Sequence, residues 1–213
     1  MKYQSFEFSP FQENTYVLYD ESKECVIVDA GNFSEYEHEK LDAFIEQNQL
    51  KPKALLQTHN HLDHLFGAKY VTDKYQVPLV CHADEVPWIK RYKATCAAYG
   101  LEIDEEPPMP QQLIAQGDSF QFGNSKLEVI HVPGHSAGGV AFYNAPNGLL
   151  FCGDILFDAS IGRTDLPGGN YEQLISGIKE KLYALPDTTR VFPGHGRETS
   201  IGKEKNSNPY VKG

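Results

Sequence analysis

Residues 58–67 read THNHLDHLFG and bring His59, His61, Asp63 and His64 within six consecutive positions, using three of the eight histidines in the chain. Imidazoles bind a proton or a metal near neutral pH, and such crowding calls for a positive charge among them. In an extended segment successive side chains point to opposite faces, so His59 and His61 would point the same way and grip one cation. Two ligands do not make a site. Zinc and similar metals take imidazole nitrogens and carboxylates, and a catalytic site usually needs three protein ligands plus water. Further donors stand in PGHSAGG (His135), FCGDILF (Asp154) and FPGHG (His195). Each follows or ends an expected strand, and the adjacent glycines let the backbone turn tightly without crowding the ligand.

The elements that must position these residues are legible in outline. NTYVLYD and ECVIVDAG, separated by DESK, read as two strands of a hairpin. SEYEHEKLDAFIEQN starts with a possible Ser34 cap and repeats Leu41, Phe44 and Ile45 at helical spacing. ALLQT (54–58) reads as a buried strand whose end delivers the histidine cluster, and HLFGAKYVTDKY as the helix leaving it. VPLVCH is a further strand, Asp84 through Ala98 a helix, and EIDEEPPMPQQ a polar, proline-rich loop that serves as a lid or a connection. SFQFGNSKLEVIHV, GGVAFYN and GLLFCGD return to strands, followed by a helix around Tyr171 to Leu185 and then RVFPGHG. Strands and helices in both halves imply sheets with helices packed outside.

A chain of 213 residues with 40% hydrophobic residues can bury a substantial core, and one domain spanning 1–213 is expected. Net charge −10 and pI ≈ 5.2 argue against nucleic acid as a partner, because that binding rests on clustered Lys and Arg. No apolar stretch approaches the roughly 20 residues needed to span a bilayer, and MKYQSFEFSPFQENTYVLYD lacks the pattern of an export signal. A cytoplasmic protein without a membrane partner is therefore expected. Cys25, Cys81, Cys96 and Cys152 are widely spaced and form no C-x-x-C pair, so reduced, buried cysteines are expected.

T-H-x-H-x-D-H, P-G-H, G-D and P-G-H-G, in this order over essentially the whole chain, resemble the metallo-β-lactamase-fold hydrolases. The resemblance implies an α/β fold, the four-layered αββα sandwich, with two divalent metal ions between the sheet edges. It implies that His59, His61 and His135 hold the first metal, that Asp63, His64 and His195 hold the second, and that Asp154 bridges them. Cations about 3.5–4 Å apart repel unless anions lie between them, and zinc lowers the pKa of bound water from 15.7 to about 7. A bridging aspartate with a bridging hydroxide meets both needs. Zinc is the expected metal, and the same donors accept iron or manganese.

FCGDILFDASIGRTDLPGG further resembles the glyoxalase II group, the hydroxyacylglutathione hydrolases, and within it the short bacterial type. There the residue nine after the bridging aspartate is basic and binds the glutathione carboxylate; here it is Arg163, and an arginine fork suits a carboxylate. The sequence departs from that group in two ways. RETSIGKEKNSNPYVKG follows the last motif where glyoxalase II carries a helical extension, and Asp165 stands where many such enzymes have tyrosine.

The resemblance thus implies hydrolysis of a small-molecule thioester, of the hydroxyacylglutathione (lactoylglutathione) type, with Asp63 and Asp154 catalytic as well as metal-binding. The alternative is a sulfur (persulfide) dioxygenase of the same superfamily with one iron on His59, His135 and Asp154, since GRTD occurs there too. A metal-binding protein without catalysis is a third reading. β-Lactam cleavage is disfavoured, because the lactamases with a cysteine ligand have it where this chain has Asp154, and Cys152 lies two residues earlier. Of the other histidines, His38 is read as solvated, His82 as a turn or core residue and His131 as packing or supporting the site. Asp29 reads equally as a turn residue or as support for a metal-bound histidine, and Tyr171 and Phe157 as core more than pocket.

Overall fold

In the computed structural model, which describes residues 1–103 and 105–213, neighbouring apolar residues of one strand are claimed by different layers. One six-stranded sheet runs β1 (Lys2–Phe8), β2 (Glu13–Tyr19), β3 (Glu24–Val28), β4 (Lys51–Leu56), β5 (Leu79–His82) and β6 (Gln112–Ile114), in that spatial order. β1 to β3 are antiparallel, whereas β3 to β6 are parallel. Parallel neighbours need crossovers, and helices supply them. The chain continues through β7 (Ser119–Phe122), β8 (Ser125–His131), β9 (Val140–Asn144) and β10 (Leu149–Gly153). A small hairpin of β11 (Leu156–Phe157) and β12 (Ser160–Ile161) precedes β13 (Arg190–Pro193) and β14 (Thr199–Ser200). The second sheet has the order β14-β13-β10-β9-β8-β7.

Leu18, Val28, Leu56 and Val80 of the first sheet meet Val129, Phe142, Phe151 and Phe192 of the second in the central core. Their neighbours Val17, Ile27, Leu55 and Leu79 face the other way, onto α1 (Glu35–Gln47), α2 (Leu62–Leu65), α3 (Ala68–Tyr75) and α4 (Val86–Ala98). Ala141, Leu150, Cys152 and Val191 likewise face α5 (Tyr171–Gly177), the π-helical turn Ile178–Leu182 and α6 (Ile201–Ser207). Both sheets are covered on both faces, which gives the αββα layers. Each fully buried Leu, Ile or Phe contributes roughly 1.5–3 kcal/mol.

The differences from the sequence reading have local causes. Ser34 and Glu37 form a reciprocal capping box that starts α1, as expected, with Glu37 N donating to Ser34 Oγ at 3.3 Å and Ser34 N to Glu37 Oε2 at 2.9 Å. β1, for which the sequence offers no separate strand, pairs with β2 along its whole length. The strand expected at 54–58 instead spans Lys51–Leu56, and Thr58 N is taken up by the Asp29 carboxylate at 2.8 Å. The single helix expected after the cluster breaks into α2 and α3 at Phe66–Gly67, where Gly67 N donates to Ala30 O at 2.7 Å. A Cβ on Gly67 would overlap the Asn32 side chain, so the chain passes there only as glycine. The proline-rich stretch has no regular structure over its described residues before Gln112, which opens β6; Asp104 within it lies outside the described residues. Among the described residues no helix is long and apolar enough to cross a membrane.

Phe142 is fully buried between the sheets. Phe142→Ala should cost about 3–5 kcal/mol of stability, against about 1 kcal/mol for Ser34→Ala at the α1 cap. Urea unfolding followed by circular dichroism checks the ratio, and equal losses would contradict the layered core.

Candidate metal centre

Strand ends from both sheets converge on one edge of the sandwich. β3 leads to Asp29, β4 to the His59–His64 segment, β8 to the loop holding His135, β10 to Asp154 and β13 to His195. Main-chain bonds tie these ends together: Asp29 N donates to Leu56 O at 2.9 Å, Val140 N to Thr58 O at 2.9 Å, and Gly194 N to Gly153 O at 2.9 Å. Gly153 sits at a register shift between β10 and β13 with φ +50°, and a Cβ there would overlap Thr58 Oγ1. Only glycine lets β10 release Asp154 this close to the histidine segment.

The structure brings all of His59, His61, Asp63, His64, His135, Asp154 and His195 together. Donor atoms of His59, His61 and His135 lie within 4.8 Å of one another, and so do those of Asp63, His64 and His195. Asp154 lies between the groups, with Oδ1 3.6 Å from His64 Nε2 and Oδ2 3.7 Å from His135 Nε2 and 3.6 Å from His195 Nε2. Asp63 Oδ2 is 3.1 Å from His195 Nε2.

Hydrogen bonds assign the ring tautomers. Nδ1 of His135 donates to Arg163 O at 2.8 Å, that of His64 to Asp29 Oδ2 at 2.9 Å, and that of His195 to Phe11 O and Gln12 O at 3.1 Å each. Thr58 Oγ1 donates to Asp29 Oδ2 at 2.7 Å and so accepts from His59 Nδ1 at 3.1 Å. His59 and His135 therefore present the lone pair of Nε2 to the centre, and His64 and His195 do so once Nε2 has lost its proton. His59 Nε2 and His135 Nε2 stand 3.2 Å apart, two lone pairs facing each other unless a cation or proton lies between them. His61 Nε2, His64 Nε2 and Asp154 Oδ1 are buried without a hydrogen-bond partner. Orphaned polar atoms in this number are costly in a buried site. The donor set fits divalent metal ions.

The two groups of donors differ in charge. Burial, then the neighbouring histidines, pushes His59 well below the usual imidazole range; burial and His135 bring His61 to about 3; burial also lowers His135. Burial opposes the charge on His64 and His195 as well, but Asp29, Asp63 and Asp154 outweigh it at His64, and Asp63 and Asp154 at His195, so both are raised. Burial works against the anion of Asp154 too, yet His64, His135 and His195 hold it below the carboxylate range.

Several supporting residues were not found from sequence. Glu85, fully buried, accepts from Asn60 N at 2.8 Å, from Gly138 N at 2.7 Å and from Ser136 Oγ, clamping the His59–His64 segment to the His135 loop. Glu13 Oε1 lies 3.9 Å from His64 Nδ1, and Gln57 Nε2 donates to His64 O at 2.9 Å. Trp88 meets His61 edge to face at 4.7 Å. Nothing in the sequence distinguishes Glu85 from any acidic residue in a first helical turn. Asp29 proves to be both things weighed for it: its φ of +52° makes the turn and its carboxylate orients His64.

Arg163 lies on the wall of the cavity above the centre, but its expected freedom to bind a carboxylate is not found: Nε and Nη2 each donate to Asp165 at 2.7 Å. Tyr171 is half-exposed rather than core, because it opens α5 at the surface, and Phe157 lines a shallow groove beside His195. His38 stacks on Tyr70 at 3.9 Å instead of standing free in solvent. His131 stacks on His82 at 4.3 Å and donates to Ala137 O at 3.0 Å, so both lie outside the donor set. The four cysteines are free and buried.

Residues 8–195 match the metallo-beta-lactamase superfamily, and the chain belongs to it. It is 36% identical to the probable metallo-hydrolase YqgX of Bacillus subtilis (strain 168), over 100% of this chain and 99% of that protein. It is 35% identical to the hydroxyacylglutathione hydrolase GloC of Haemophilus influenzae, over 94% of this chain and 93% of the relative. The crystal structure of the B3 metallo-beta-lactamase BLEG-1 matches with TM-score 0.89 at 35% identity, covering 100% of both chains. That of TTHA1623 in a di-iron-bound form matches with TM-score 0.87 at 36% identity, covering 98% of this chain and 100% of that one. Family membership together with the His/Asp cluster implies divalent metal binding.

A metal ligand must be an unprotonated imidazole. His64 and His195, raised by their carboxylate neighbours, must lose protons to bind, whereas His59, His61 and His135 are already neutral near pH 7. In zinc titrations by calorimetry in buffers of different ionisation enthalpy, one equivalent should bind without proton release and the other with it. Lowering the pH toward 6 should weaken the proton-releasing equivalent first. Equal proton release by both would contradict the charge division.

Proposed function

We propose that the protein hydrolyses thioesters with two divalent metal ions, zinc being the expected pair. His59, His61 and His135 would hold one, Asp63, His64 and His195 the other, and Asp154 would bridge them. The observation that carries this reading is the Asp154 carboxylate, which lies between the two groups of histidines, Oδ1 beside His64 and Oδ2 beside both His135 and His195. Bound there, such ions supply Lewis acidity toward a carbonyl oxygen and lower the pKa of water toward neutrality.

The chain's own residues do the rest. Asp63 opens onto the cavity and lies beside His195, a position from which its carboxylate can orient a water and take up its proton. Asp29, Thr58 and the Arg163 and Phe11 carbonyls fix the imidazoles, so no ring has to reorient during the reaction. A cavity of about 550 Å³ opens above the centre, and Phe11, Trp88, Ala98, Leu166 and Pro167 give it an apolar wall that excludes water from an acyl chain. No protein nucleophile is needed. Cys152 beside Asp154 is buried, its thiol is pushed up to about 12 by burial, and its Sγ donates to Leu156 O at 3.3 Å.

Thioester specificity draws support from the likeness to GloC across nearly the full length of both chains, and a hydroxyacylglutathione is the substrate type this favours. The likeness to BLEG-1 makes β-lactam cleavage the second reading. A mononuclear iron dioxygenase would use His59, His135 and Asp154 and leave the converged Asp63, His64 and His195 without a role.

Metal-loaded protein should release thiol from lactoylglutathione and from simpler acyl thioesters. Asp154→Asn should lower kcat by about 100-fold or more. No turnover of any thioester would sink the reading. Hydrolysis of a chromogenic cephalosporin in its place would favour the second one, and oxygen uptake with one iron per chain the dioxygenase.

A further inference from the structure

α4 presents two different faces. Ile89, Tyr92 and Cys96 are buried in the core against the first sheet, whereas Trp88, Arg91, Thr95 and Ala98 form a stripe at spacings of three and four along the cavity. The helix therefore serves as a wall of the cavity as well as a layer of the fold. Arg91 and Arg163 are the arginines among the described residues that line this cavity. They are not equivalent. Arg163 has Nε and Nη2 engaged by Asp165, so one of its two bidentate edges is occupied and its charge is balanced by a neighbour that would repel an incoming carboxylate. Arg91 is exposed at the mouth, and among the described residues its guanidinium is in no ion pair.

We propose that Arg91 on α4, rather than Arg163, receives the anionic group of the thiol half of the substrate. The assignment rests on the thioester reading for its kinetic arm and is independent of it in its binding arm. An anionic thiol carrier enters along α4 with its charge at Arg91 and the thioester over Asp63 and Asp154. The apolar residues between them hold the carrier's backbone. A carboxylate, as in a glutathione thioester, and a phosphate, as in a coenzyme A thioester, both suit a guanidinium, and testing both carriers separates them.

Trp88, the single tryptophan of the chain, lines the same wall and reports binding by its fluorescence. Glutathione and coenzyme A are titrated into zinc-loaded wild type, Arg91→Ala, Arg91→Lys, Arg163→Ala and Lys90→Ala, the last removing an exposed charge from α4 outside the cavity. Arg91→Ala should weaken binding of the preferred thiol about tenfold or more, with partial recovery in Arg91→Lys and no change in Lys90→Ala. With thioesters, it should raise KM about tenfold for the charged carrier, leave kcat within about twofold, and leave an uncharged N-acetylcysteamine thioester unaffected. A tenfold loss in Arg163→Ala with none in Arg91→Ala overturns the assignment, as does wild-type protein that binds neither thiol. Weaker thiol binding in Arg91→Ala without turnover of any thioester supports the anion site while removing the hydrolase reading.

Discussion

The interaction on which the rest depends is the repulsion among donor groups crowded at one edge of the sandwich. His59 and His135 point nitrogen lone pairs at each other across 3.2 Å, and the Asp154 carboxylate, with Oδ1 buried, stands beside them. Such a collection is stable only with compensating charge. Asp29, Asp63 and Asp154 favour the protonated forms of His64 and His195, which would supply part of that charge. Divalent ions would supply it more completely, because each can take several of the lone pairs at once.

Holding these groups together against their repulsion requires rigidity, and the fold provides it from two sheets. The first sheet contributes Asp29 and the histidine segment; the second contributes the His135 loop, Asp154 and His195. Glu85 joins the two across the edge through main-chain amides of Asn60 and Gly138. The C-terminal segment contributes too: buried Glu204 on α6 accepts from Ala159 N at 2.9 Å, and Asn208 donates to Ser160 O at 3.0 Å, which pins the hairpin that follows Asp154. Thus the residues after the last histidine motif support the centre even though none enters it.

How much of this was legible depended on whether a residue's type or its partners decide its role. The strands and the capped α1 announce themselves because runs rich in Val, Ile and Tyr, and a serine ahead of apolar residues at helical spacing, are local signals. The seven donors were legible because imidazoles and carboxylates beside glycines are rare in series. Glu85, Glu13 and Trp88 were not, since each acts through contacts with residues distant in sequence. The break between α2 and α3 was hidden for the same reason: it comes from Asn32 and Ala30 approaching Gly67. Arg163 is a different case: its type and its place beside the centre were legible, whereas its bonds to Asp165, two residues away, were not.

The central claim is that Asp154 lies between two metal ions rather than beside one. Anomalous diffraction at the zinc edge from crystals of zinc-loaded protein tests it most directly. The account predicts two peaks, one among His59, His61 and His135 and one among Asp63, His64 and His195, each within coordinating distance of Asp154. A single fully occupied peak, with Asp63, His64 and His195 hydrogen-bonded to one another at saturating zinc, would contradict it.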